Sequence, residues 1–291
     1  MDFVLYFLLP VCQQGLVWGL VALGVWMTFR VVNVPDLTVD GTLTTGAATA
    51  ARLLTLGVHP LPATLAGFLT GAAGGAITGL IHTRLKVQPL LASIITMTGL
   101  YSINLRIMGR SNIALFNLRT LVPDDDWAQL ALFAVIAGLL VLVLNLFFRT
   151  ELGLALRATG DNDAMVRMLG VSSDSMRLLA FTLSNGIVGL GGALVAQYSG
   201  FADAQMGIGT IVAALAALII GETLFGTPTV ARATVSALLG SIIYRALFAL
   251  ALRAGFQASD LKLVTAALVV LALSVPQIKK TVRLAEGGEA R

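Results

Sequence analysis

The stretch Phe29-Arg-Val-Val-Asn-Val-Pro-Asp-Leu-Thr-Val-Asp-Gly-Thr42 interrupts sequence that is otherwise almost wholly apolar on both sides. Pro35 lacks a backbone donor and Gly41 weakens a helix interior, so both predict a break. Asp36 and Asp40 place ionisable groups at or near membrane depth. Such groups are costly in lipid and face a bundle interior or an aqueous path. Irregular backbone is tolerated there only where protein buries it or a cavity solvates it. One reading is a break that lines a pathway with Asp36, Asp40 and Thr42. The other is a short cytoplasmic turn with solvated acids.

The surrounding chain makes a membrane setting the natural one. Of 291 residues 57% are hydrophobic and only 12% are charged, with a mean hydropathy of +0.90. A soluble domain is about 25% charged and could not cover this much apolar surface. A soluble enzyme, a disordered scaffold and a nucleic-acid binder are thereby excluded. The formal charge of +4 sets orientation in lipid and does not mark a nucleic-acid partner.

At about 20 apolar residues per crossing, nine spans are predicted: 12–30, 37–57, 62–83, 88–108, 127–148, 178–198, 207–224, 229–252 and 260–277. The second and seventh are short and read as broken helices. Ahead of them, the first charge is Asp2 and not a base, so the N-terminal stretch reads as a retained span. A short interfacial helix up to Pro10 precedes it in this reading. Basic residues collect at Arg84–Lys86, between Arg149 and Arg177, and in the tail with Lys279, Lys280 and Arg283. Placing all three in the cytoplasm puts Asp124–Asp126 and the N-terminus outside and the C-terminus inside. The predicted fold is therefore an all-α polytopic membrane protein with about 8–10 transmembrane helices, forming one domain over 1–291.

A repeat runs through it. Gly19-Leu-Val-Ala-Leu-Gly24 aligns with Gly186-Ile-Val-Gly-Leu-Gly191, and at the same spacing Asp36 meets Asp203. With one residue inserted, Gly41-Thr42 meets Gly209-Thr210. An odd number of spans separates the copies, so their topologies oppose. Inverted repeats with breaks at matching positions are a transporter signature. The halves cover about 1–126 and 150–278. The second break, Ser199-Gly-Phe-Ala-Asp-Ala-Gln-Met-Gly-Ile-Gly-Thr210, offers Asp203, Gln205 and Thr210 as pathway residues, or else forms an ordinary external turn.

Between the halves lies a cytoplasmic segment, 149–177. Asp161 reads as an N-cap and Gly170 as the residue closing a short helix. Met165, Met168 and Leu169 then share one face. A helix of about eight residues is marginal alone, so this face packs on its own membrane domain or on a cytoplasmic partner. Elsewhere, Arg106 and Arg110 sit at a span end, where arginines snorkel. Arg245 lies deeper and calls for a polar partner or an aqueous path. Glu222 reads as ordering a loop, and Trp18, Trp26 and Trp127 as packing aromatics. The run Gly71-Ala-Ala-Gly-Gly-Ala-Ile-Thr-Gly79 is a face for close helix packing. With only Cys12, His59 and His82, there is no metal cluster, and no arrangement of catalytic groups supports an intramembrane enzyme.

Three features together resemble the permease subunits of the branched-chain amino acid/ribose class of bacterial ABC importers. They are the Tyr6-Phe-Leu opening leading to Gln14-Gly15, the Asn33-Val-Pro-Asp36 break, and Gly153-Leu-Ala-Leu-Arg-Ala-Thr-Gly-Asp-Asn162 followed by Met168-Leu-Gly-Val171. The segment 29–42 is most similar to the tryptophan/tyrosine subgroup. Better-known members often read Phe-Ala-His-Gly where this chain has Leu37-Thr-Val-Asp40, a departure that points away from branched-chain amino acids. The resemblance implies a plasma-membrane permease that pairs with a second copy, an ATPase binding ATP and Mg, and an extracytoplasmic substrate-binding protein. It implies that Arg157, Gly160, Asp161, Met165, Met168, Leu169 and Gly170 belong to the ATPase dock. The chain itself has no phosphate-binding Gly-x-x-x-x-Gly-Lys-Ser/Thr loop, and implies no cofactor of its own. The other reading is an ion-coupled secondary transporter using Asp36, Asp40 and Asp203.

Overall fold

The computed structural model describes residues 7–255 together with 260, 263, 265–267, 270 and 274. The first helix, α1 (Leu9–Trp26), ends in a π-helical turn at Met27–Val31. Then follow α2 (Thr38–Thr55), α3 (Pro60–Arg84), α4 (Pro89–Met108), a three-residue strand β1 (Asn112–Ala114) and α5 (Asp126–Phe147). Two short helices, α6 (Glu151–Asp161) and α7 (Asp163–Met168), lead into α8 (Ser173–Ser199). The described part closes with β2 (Phe201–Asp203), α9 (Thr210–Phe225) and α10 (Val230–Arg253). Six of the described helices, counting α1 with its π turn, are long and apolar enough to cross a membrane. At 1.5 Å per residue α2 spans about 27 Å and α9 about 24 Å, just short of a bilayer core.

Eight of the nine expected spans are found within a few residues of their predicted ends, and 260–277 lies largely outside the described residues. The break is placed differently from the prediction. Gly41 does not interrupt α2, which is continuous; the irregular stretch precedes it, with Asn33 at φ +56°. Gly41 is accommodated because its missing Cβ admits Met97 and Leu100 of α4. Likewise no helix ends at Pro10. That proline sits in the first turn of α1, where its absent N–H is not missed, and residues 1–6 lie outside the described part. Helix α8 begins five residues ahead of the apolar run, because Ser172 caps it by accepting from the Ser175 N–H at 3.3 Å.

Among the six membrane-length helices α1 and α8 are the most enclosed, and the shorter α2 is buried to a similar degree. Without water to expel, membrane helices associate through close packing of small residues. Helix α3 meets α8 on this principle. A Cβ on Gly71 would overlap the carbonyl of Asn185, and one on Gly75 that of Phe181. Gly46 of α2 and Gly192 of α8 face the Gly189 and Leu43 carbonyls in the same way. The run 71–79 is thus the packing face its composition predicts.

The repeat is visible in these contacts. Gly24 and Gly191 lie in the α1–α8 seam, where a Cβ would come within 2.7 Å of Val188 and 2.9 Å of Val21 respectively. Gly19 leaves room for Leu238 of α10, as Gly186 does for Phe68 of α3. The α1–α10 and α8–α3 pairings are therefore equivalent, as an inverted repeat requires. The β1–β2 ladder, pairing Asn112 with Asp203, ties the α4–α5 loop to the second break.

Replacing Gly75 by Leu forces side-chain atoms into the α8 backbone and is expected to cost about 1–3 kcal/mol or more. Gly138→Leu on α5, which has nothing within 4 Å of its Cβ position, is the matched control. Heating in detergent followed by size-exclusion chromatography should show a lower melting temperature for the first variant only.

Candidate functional site

Each break is held by a carboxylate from the first half. At the first break, Asp36 is buried, not solvated. Its Oδ1 accepts from the Thr38 N–H at 2.9 Å and its Oδ2 from Asn185 Nδ2 at 2.6 Å. Thr42 donates to Asn185 Oδ1 at 2.7 Å, and the Thr38 and Thr78 hydroxyls meet at 2.7 Å. One amide on α8 and one threonine on α3 thus fix both the turn and the first part of α2. In a low-dielectric interior such a network is rigid when every member is partnered.

Asp40 works across the repeat. Its Oδ2 accepts from the Gly209 N–H at 2.8 Å and its Oδ1 from the Ile211 N–H at 2.9 Å. The Gly207 N–H donates to Thr44 Oγ1 at 3.1 Å. The start of α9 and the residues just before it expose donors that the helix itself cannot satisfy; Asp40 and Thr44 of α2 satisfy them, and Asp40 supplies negative charge at the positive end of the helix. Gly207 is required here, because a Cβ would overlap the Asp40 carbonyl. Asp203 lies on β2, accepting from the Gln205 N–H at 2.8 Å and from Asn112 Nδ2 at 3.4 Å, while the Gln205 side chain is exposed.

The seat of α9 divides two cavities, with Ile208 lining both. One, of about 240 Å³, contains Asp40, Thr44, Tyr101 and Asn104. The other, of about 570 Å³, contains Thr210, Tyr244 and Arg245 with Trp18 and Phe248. The Arg245 guanidinium stacks 4.2 Å from the Trp18 ring centre and 5.6 Å from that of Phe248, and its Nε is buried without a hydrogen-bond partner. Trp18 is therefore more than a packing aromatic. A desolvated cation–π contact of this kind contributes about 2 kcal/mol.

At the opposite end of the bundle, Arg30 of the π turn donates through Nε to Glu222 Oε1 of α9 at 2.9 Å, with a second ion-paired bond beside it. This pair, with Arg157 and Asp161 of α6, lines a cavity of about 400 Å³. Glu222 thus joins two helices and does not order a loop. Gly160 allows α6 to lie directly on the Val31 carbonyl. Asp161 is the last residue of α6 and not an N-cap; the cap of α7 is Asn162, which accepts from the Met165 N–H at 3.0 Å. Helix α7 is six residues long, and Gly170, at φ +80°, closes its end. Val166 turns inward, whereas Met165, Met168 and Leu169 are 50%, 81% and 70% exposed. Lys86 pairs with Asp174, so the α3–α4 loop and the start of α8 share this end.

Sequence reasoning missed Asn185, Thr78 and Gln197. Gln197 Nε2 donates to Thr64 Oγ1 at 2.8 Å and its Oε1 accepts from the Leu121 N–H at 2.8 Å. The signal available was the presence of a lone amide inside an apolar span, since a buried amide needs partners.

The combination of a glycine-packed inverted repeat and a short helix pair at one end defines a transporter permease. Residues 7–273 match the family model described as branched-chain amino acid transport system / permease component. The chain belongs to that family, the branched-chain/ribose class of ABC permeases. It is 39% identical over 267 residues to the tyrosine transport system permease protein of Clostridioides difficile, covering 92% of this chain and 90% of that one. It is 29% identical over 225 residues to the autoinducer 2 import system permease protein LsrC of Yersinia enterocolitica, covering 76% of this chain and 62% of that one. The fold matches a solved inward-facing metal-chelate type ABC transporter with a TM-score of 0.54 at 17% identity, over 96% of this chain and 88% of that one.

Replacing Asp40 by Ala leaves the Gly209 and Ile211 donors without their acceptor. Loss of a helix cap costs about 0.5–2 kcal/mol. Asp40→Ala should lower the melting temperature in detergent and Asp40→Asn should lower it less, since the amide retains one acceptor; equal melting of all three proteins would contradict the capping role.

Proposed function

We propose that this chain forms half of the channel of an ATP-driven importer for an aromatic amino acid. Two copies enclose the route. ATPase subunits, which bind ATP and Mg, dock at the end bearing α6 and α7, and a substrate-binding protein docks at the other. The basic groups at Arg84–Lys86 and between Arg149 and Arg177 favour a cytoplasmic position for the docking end, with the N-terminus outside and the C-terminus inside. The similarity to a tyrosine transport permease over nearly the whole chain supports the substrate class.

The observation that carries the reading is the exposed apolar face of α7. Met165, Met168 and Leu169 are a poor surface to leave in water, and the thioethers adapt to an irregular groove. The face is mounted on a lever. Helix α7 follows α6 after a single residue, and α6 rests through Gly160 on the π turn of α1. Next to that contact, Arg30 ties the turn to Glu222 on α9. Movement of a docked ATPase then reaches both breaks of the repeat without passing through a flexible loop. The ion-coupled reading gains little support, since both oxygens of Asp36, Asp40 and Asp203 already accept hydrogen bonds.

Met168→Glu is expected to reduce uptake by the assembled transporter at least tenfold while leaving membrane insertion intact. Uptake at the parental rate would contradict docking through this face.

A further inference from the structure

The cavity beside Arg245 has a feature that the coupling machinery does not explain. Arg245 lies about 12 Å inside the C-terminal end of α10 and Trp18 about 14 Å inside the N-terminal end of α1. At that depth an arginine normally faces an acid or water. Among the described residues Arg245 has no hydrogen bond and no ion pair, and its Nε is buried. No acidic residue lies on α1 or α10. The acid on α9, Glu222, sits near the far end of that helix, paired with Arg30, and Asp40 behind the α9 seat is engaged by Gly209 and Ile211. Among the described residues no ion pair meets this cation, and the cavity that it lines is open to an anion.

We infer that the Trp18–Arg245–Phe248 cavity is a binding subsite for the carboxylate of a small aromatic solute on its way through the membrane. The guanidinium is a planar fork of donors that matches a carboxylate in two-point geometry. Trp18 and Phe248 hold its ring contacts, leaving its donors for the cavity. The rest of the wall is mostly apolar, with Met206, Val212 and Ala213 among it, so the anion must be carried on a body that is itself apolar or aromatic. The volume of about 570 Å³ is in the range of small-molecule sites. A phospholipid phosphate is the other source of an anion, but headgroups lie at the interface and this guanidinium sits about 12 Å from the nearer end of a membrane-length helix. The subsite rests on the importer reading, which it deepens by naming the group recognised.

The test uses the purified permease–ATPase complex and three probes: L-tyrosine, 3-(4-hydroxyphenyl)propionate, which keeps the carboxylate, and tyramine, which lacks it. Equilibrium dialysis should show that the two carboxylates compete for one site and that tyramine binds at least tenfold more weakly. Arg245→Gln should abolish that discrimination, and Arg245→Lys should keep it at reduced affinity. Equal binding of tyramine, or discrimination that survives Arg245→Gln, overturns the assignment. So does a phospholipid that copurifies with the parent, is lost in Arg245→Gln and is not displaced by L-tyrosine. ATPase stimulation by loaded binding protein is read on the same preparation. Stimulation without carboxylate discrimination overturns the subsite and leaves the importer reading standing, whereas absent stimulation counts against the importer reading itself.

Discussion

Everything in this fold depends on how closely α8 is approached by its neighbours. Lipid gives apolar helices little reason to leave it for one another, so association requires dense contact. Gly71 and Gly75 let α3 lie against the α8 carbonyls, and Gly46 with Gly189 does the same for α2. Once those backbones touch, Asn185 stands where it can bridge Asp36 and Thr42. The irregular stretch before α2 is then anchored by protein partners, with Val34 N–H donating to the Thr28 carbonyl at 2.9 Å and both Asp36 oxygens accepting hydrogen bonds.

The inverted repeat uses the same frame twice but joins its halves asymmetrically. The first break is closed by a carboxylate within its own half, aided by Asn185. The second break borrows Asp40 from the other half to cap α9. The position of α9 is consequently set by α2 at one end and by the Arg30–Glu222 pair at the other. A short helix pinned at both ends by polar contacts, and packed by small residues between, can shift as a unit when either end is moved.

Much of this was legible in the sequence, because membrane depth imposes lengths and small-residue faces that show up in one dimension. The span limits, the packing run 71–79 and the Gly19–Gly24/Gly186–Gly191 match all appear in the structure. The partner of each polar group was not legible. Pro35 and Gly41 both read as breakers, yet Gly41 lies inside a continuous helix, where its lack of a side chain lets α4 approach. Asp161 and Asn162 are both good caps, and only backbone geometry selects Asn162. The three-residue strands are too short to leave an alternating pattern, and Trp18 and Arg245, far apart in sequence, meet only when α1 packs on α10.

The proposed function requires that an ATPase acting on α6 and α7 drives transport through this chain. It is tested most directly by uptake of L-tyrosine into proteoliposomes holding the permease, its ATPase and its binding protein, with internal ATP and proton uncoupler varied independently. Uptake should require ATP and be unaffected by the uncoupler. Uptake without ATP that collapses when the uncoupler is added would contradict it.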